Sequence, residues 1–131
     1  MAAMVVKAGM TIIANRIKGT GTEPNYVGWG TSSTAEANTQ TDLQAPGANE
    51  ARTAGTSSIV TTTNPSDTYQ VVGLITCATG GKTIQEVALF DAAGTGTPPS
   101  GGNMLCRAVH GAQALNVGDS IEYTIGVKQA G

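Results

Sequence analysis

The sequence predicts a mostly β fold: an antiparallel sandwich or jelly-roll-like domain with a short N-terminal helix or arm. Three observations carry this. Ile121, Tyr123, Ile125 and Val127 alternate strictly with Glu122, Thr124, Gly126 and Lys128, the pattern of a half-buried antiparallel strand. Segments rich in Val, Ile, Thr and Tyr recur through the second half of the chain, separated by Gly, Pro and Asn turns. No helical period intervenes between them. A sandwich, jelly roll or small barrel answers that succession of short strands.

The 131 residues suit one domain, 1–131, with enough chain to bury a core without staples. Residues 1–18 read as an N-terminal helix or arm, 19–58 as a loop-rich region and 59–131 as the antiparallel β core. Over 4–18, Val5, Ala8, Ile12 and Ile13, with Arg16 and Ile17, recur near helical spacing. Lys18 falls in the last turn and Gly19 is placed to cap it. Gly9 weakens the helix, so an arm that orders on a partner is the other reading.

Gly19-Thr20-Gly21-Thr22 and Pro24-Asn25 mark turns, and Tyr26–Gly30 reads as a short strand with the only tryptophan, Trp29. Residues 31–51 are rich in Thr, Ser, Ala, Asn and Gln. A stretch this long without structure packs on a partner or stays mobile. Ile59–Thr63 is β-branched throughout and reads as a strand, ended by a turn at Asn64-Pro65-Ser66-Asp67. A strand over 69–78 follows, with Tyr69, Val71, Ile75 and Cys77 on one face. Thr79-Gly80-Gly81-Lys82 has hairpin composition. Strands over 84–91 and 104–110 flank a Gly/Pro loop over 92–103. The GTGT string at 19–22 and 94–97 sits in dissimilar surroundings and is chance low complexity.

Charge excludes one class of function. The net charge is −2, and only 12% of residues are charged. The cations (Lys7, Arg16, Lys18, Arg52, Lys82, Arg107 and Lys128) are scattered, so nucleic-acid binding has no electrostatic support. Residues 1–7 lack the charged n-region and long apolar run of a signal peptide. No apolar stretch reaches the length of a membrane span. Assembly in the cytoplasm is expected. Cys77 and Cys106 form no C-x-x-C pair, so zinc and thioredoxin-like readings fail. Buried free thiols are favoured over a disulfide.

Catalytic patterns are sparse. Gly80-Gly81-Lys82-Thr83 resembles the end of a phosphate-binding loop, but Thr76 stands where the first glycine belongs and a strand follows. His110 is the only histidine and has no sequence partner for metal or triad chemistry. Asp91 and Asp119 lie at turns, where Asp satisfies backbone donors. Glu86 and Arg107 each interrupt an apolar strand. If those strands neighbour each other, the two charges can pair across the sheet and fix register. An acid beside a cation in an active site is the alternative, but it lacks a third partner. Tyr26 and Trp29 are candidate interface anchors, and a core role suits Trp29 equally well. No catalytic residue, metal site or cofactor is expected.

The order of segments is familiar: Asn25–Thr31 (NYVGWGT), Lys82–Asp91 (KTIQEVALFD), Gly102–Ala108 (GNMLCRA) and Asn116–Ile125 (NVGDSIEYTI). Together they resemble small structural proteins of tailed bacteriophages across most of the chain. Related patterns occur in tail-fibre and baseplate modules. A fibre is a long repetitive chain, whereas this length suits a capsid decoration, or cement, protein. The resemblance implies a non-enzymatic homotrimer on the outer capsid surface of the virion, clamping neighbouring major capsid proteins, with no nucleic-acid or membrane partner. A tail or fibre-base component with carbohydrate or receptor contact is the alternative it leaves open.

Overall fold

The computed structural model describes residues 3–46 and 50–129. Two antiparallel sheets pack face to face. The larger runs β1 (Met4–Val5), β7 (Met104–Leu115), β6 (Lys82–Phe90), β2 (Tyr26–Gly30), β3 (Thr53–Ala54); the smaller runs β4 (Thr56–Val60), β5 (Thr68–Thr76), β8 (Ser120–Lys128). The fold is a mostly β sandwich with one short helix, α1 (Lys7–Lys18).

The inner core shows why the last strand alternates. Tyr123, Ile125 and Val127 of β8 meet Val71 and Ile75 of β5. Across the interface lie Val27 and Trp29 of β2, Ile84, Val87 and Leu89 of β6, and Ala108 of β7. Each fully buried aliphatic or aromatic side chain of this kind contributes about 1.5–3 kcal/mol. The unbroken apolar run Val87-Ala88-Leu89-Phe90 has a different cause. The larger sheet is covered on both faces. Ala88, Phe90 and Met104 form a second cluster with Val6 and Leu43 on its outer face, where a strand has no solvent side to alternate toward.

Helix α1 starts at Lys7, later than position 4, because Met4 and Val5 pair with Arg107 and Cys106 as β1. Gly19 ends it in the left-handed conformation (φ 87°), its N–H reaching the Arg16 carbonyl at 3.0 Å while Thr20 N–H reaches Asn15 at 2.8 Å. Gly9 is required by proximity. A Cβ there would stand 2.2 Å from the Leu105 carbonyl oxygen of β7.

Four features differ from the sequence reading. The core is not confined to 59–131, since β2 lies between β6 and β3 inside the larger sheet. Strand β4 occupies Thr56–Val60 and stops before the β-branched run ends. The N–H groups of Thr62, Thr63 and Asn64 turn instead onto the Asp67 carboxylate at 2.9, 3.0 and 2.9 Å, a local bond that outcompetes a ladder. The 79–82 turn is no hairpin, because it carries the chain from β5 in one sheet to β6 in the other. Residues 31–46 are ordered and lie against the outer face of the larger sheet.

Candidate interaction surface

Strands β6 and β7 are hydrogen-bonded neighbours, with Ala88 opposite Arg107 and Glu86 opposite Val109. Glu86 and Arg107 are therefore diagonal on one face. A register irregularity between Ile84 and Glu86 turns the Glu86 carboxylate outward while Ile84 stays in the inner core. Both side chains are 0% exposed, and Arg107 Nε donates to Glu86 Oε1 at 3.1 Å. The pair is occupied with holding the 31–46 segment. Glu86 also accepts the N–H groups of Ser32 (2.9 Å), Gln44 (2.8 Å) and Ala45 (2.9 Å). Arg107 Nη1 donates to the Thr34 carbonyl (2.9 Å) and Gln40 Oε1 (3.1 Å), while Nη2 is enclosed with no hydrogen-bond partner among the described residues. Gly30 belongs to the same arrangement. A Cβ there would meet the Ala45 carbonyl at 2.4 Å and the Glu86 carboxyl group at 2.8 Å. From the segment itself, Glu36 accepts the Val109 N–H at 2.8 Å, and that bond holds its carboxyl below the usual range.

The other singled-out polar residues also serve the fold. Lys82 donates to buried Glu50, which further accepts the N–H groups of Ala78 (2.9 Å) and Thr79 (3.2 Å). Burial opposes the charged form of Glu50, but Lys82 and the Ala78 and Thr79 donors outweigh it and lower its pKa. Asp91 accepts from the Asn103 N–H at 2.6 Å, and Asp119 from the Asn116 N–H at 2.8 Å. His110 Nδ1 lies 2.8 Å from the Gly111 carbonyl. A carbonyl only accepts, so Nδ1 is the donor there, and Nε2 hydrogen-bonds with the Tyr123 hydroxyl at 2.8 Å. That bond ties β7 to β8 across the two sheets. Arg52 lies over the Phe90 ring at 3.5 Å and donates to the carbonyls of Ala92 (3.0 Å) and Gly101 (2.7 Å), closing the base of the 92–103 loop. Cys77 and Cys106 are buried and unlinked.

The two aromatic candidates differ in burial. Trp29 is 3% exposed within the inner core, and half-buried Tyr26 packs against the outer cluster. Uncovered apolar surface lies elsewhere. At one end of the sandwich a groove of about 660 Å³ opens between α1 and the smaller sheet, lined by Ile12, Ile13 and Ile17 on one side and Ile59, Tyr69 and Val127 on the other. Ile17 is 83% exposed and Ile59 70%. Ile59 stands opposite Tyr69, on the sheet face whose other members fill the core.

The helix explains the other wall. At about 100° per residue, Ile12, Gly9, Ile13, Ile17 and Met10 fall on one side of the helix, with Arg16 among them. Only Ile12 and Gly9 are buried, so this side continues uncovered into the groove. The spacing that identified the helix contained this excess, but a sequence does not state how much of an arc its own core will cover. No family model matches the chain, nor does any curated protein or any solved structure.

Proposed function

We propose that the protein is a virion structural protein that decorates and stabilises a phage capsid, as a homotrimer binding neighbouring major capsid proteins. The observation that carries a binding role is the uncovered apolar groove between α1 and β4, whose walls continue the core to the surface. Glu86 and Arg107 support a non-enzymatic reading. Every Glu86 contact is a protein donor that fastens a segment of the chain, which leaves no face of the carboxylate for a substrate. Cement function needs many modest contacts repeated at high copy number, where avidity replaces a deep pocket. The virion assignment itself rests on the resemblance of the Asn25–Thr31, Lys82–Asp91, Gly102–Ala108 and Asn116–Ile125 segments.

A tail or fibre-base role is the second reading. It is favoured by the 92–103 loop, which is mostly exposed and closes on itself through mutual 2.9 Å bonds between Thr95 and Ser100. Mass spectrometry of separated heads and tails, with copy number, decides between them. Hundreds of copies in heads support cement. A handful in tails supports the second reading, and absence from both refutes the virion assignment. Shells lacking the protein should form but break at lower temperature.

A further inference from the structure

Of residues 31–46 only Leu43 is buried, and it joins the outer cluster. Among the described residues, none of this stretch enters the inner core, so the packing between the two sheets is complete without it. The ends of the stretch meet. Thr31 N–H donates to the Ala45 carbonyl at 2.9 Å, and Gly30 bridges to Pro46. The stretch is therefore a closed surface loop of the Ω type, laid over β6 and β7 from a single neck.

Its fastenings are few and mostly polar. Glu86 takes three of its N–H groups, and Arg107 takes the Thr34 carbonyl and Gln40. Two bonds run from the body of the protein to the far part of the loop. The Lys7 N–H opens α1 and has no acceptor within the helix; it donates to the Asn38 carbonyl at 2.8 Å. The Val109 N–H lies on β7 beyond the two residues that β1 covers, and Glu36 accepts it at 2.8 Å. Asp42 reaches Arg52 only at 3.8 Å from a side chain that is 37% exposed, a weak link.

Closing the loop orders a polar stretch against its chain entropy. It also removes Glu86 and Arg107 from water, a cost that offsets much of what their bonds return. Opening gives both charges back to water, including Arg107 Nη2, which has no hydrogen-bond partner among the described residues. From these features we infer that residues 31–46 are a strap that opens as one unit while the sandwich stays folded, with the Glu86–Arg107 pair as its latch. The open form uncovers the outer cluster of Ala88, Phe90 and Met104 and frees the Val109 N–H on the edge of β7. The closed strap is an internal cover for both. This device lies apart from the groove and is independent of the binding role proposed above.

Hydrogen exchange of the whole protein, followed by NMR in rising urea below the unfolding transition, tests it. Five amides report the strap: Ser32, Gln44 and Ala45 on Glu86, Lys7 on Asn38 and Val109 on Glu36. They should share one opening constant, at least tenfold larger than that of the slowest amides of β5 and β8. Their exchange should depend weakly on urea, because opening exposes little surface. The Val6 N–H, one residue from Lys7, is held by the Leu105 carbonyl at 3.1 Å and should stay protected at least tenfold longer than the five. Leu43→Ala should raise all five opening constants by one common factor of at least ten. Five unrelated opening constants, or a urea dependence equal to that of the slowest core amides, overturns the inference. So does Val6 exchanging in step with the five, or a Leu43→Ala effect confined to Gln44 and Ala45.

Discussion

Replacing Glu86 with alanine removes the acceptor of four hydrogen bonds at once: those from Ser32, Gln44, Ala45 and Arg107. Breaking one side of a fully buried ion pair costs about 3–5 kcal/mol, because the remaining charge is left uncompensated. Arg107 would keep only two neutral acceptors, Thr34 O and Gln40 Oε1. Each orphaned main-chain N–H adds about 1 kcal/mol. The three sit on a segment that can swing toward water, so they do not sum fully, and the expected total is about 4–6 kcal/mol. That is much of the ~5–15 kcal/mol stability of an ordinary domain. Arg107→Met should cost less, about 2–4 kcal/mol, because Glu86 then retains three N–H donors. The double variant Glu86→Met/Arg107→Met should recover only part of the loss, since the 31–46 N–H groups still lack their acceptor. Urea unfolding measures all three, and limited proteolysis should cut within 31–46 first in both Glu86 variants. An Arg107→Met loss larger than that of Glu86→Ala, or full recovery in the double variant, would refute the view that Glu86 fastens the segment.

Three further outcomes follow from other sites. Gly9→Ala should destabilise by about 1–3 kcal/mol in thermal unfolding, despite the better helix propensity of alanine, because the added Cβ meets the Leu105 carbonyl. Asp67 is held well below the usual carboxylate range, first by the Asn64 N–H, against an opposing effect of burial, and with help from Thr62 and Thr63. Its contribution to stability is therefore complete above the unfolded pKa of about 3.9 and lost as pH falls through the lower folded value; Asp67→Asn should flatten the acid limb of a stability–pH curve. Burial pushes the Cys106 thiol up to about 12, so iodoacetamide at pH 8 should leave it unlabelled in the native protein and label it in urea.

What was legible in the sequence follows physical range. Local patterns told the truth where one face meets one core: β8 alternates because water lies on one side of it, and Gly19 caps α1 because only the adjacent turn matters. The two charges in β6 and β7 stood out because an apolar strand tolerates a charge only with a partner, and the structure sets them within hydrogen-bond distance. The errors lie where a competing local bond or distant chain decides. Thr61–Thr63 carry strand-forming side chains, yet Asp67 captures the backbone. Thr79–Lys82 has hairpin composition, yet its flanking strands belong to different sheets. Residues 31–46 show no periodicity because a carboxylate from another strand holds them, not a ladder. The groove was hidden because α1's excess apolar arc becomes visible only against the core it fails to enter.

The way Glu86 fastens the 31–46 segment has a consequence for how that segment can vary. Its three bonds come from main-chain N–H groups at Ser32, Gln44 and Ala45, and every amino acid except proline supplies one. Glu36, Gln40, Asp42 and Leu43 in this stretch commit side chains to the body of the protein. The exposed Ser33, Thr39 and Thr41 can therefore drift in composition, or accept a grafted epitope, while the path of the stretch over the sheet stays fixed.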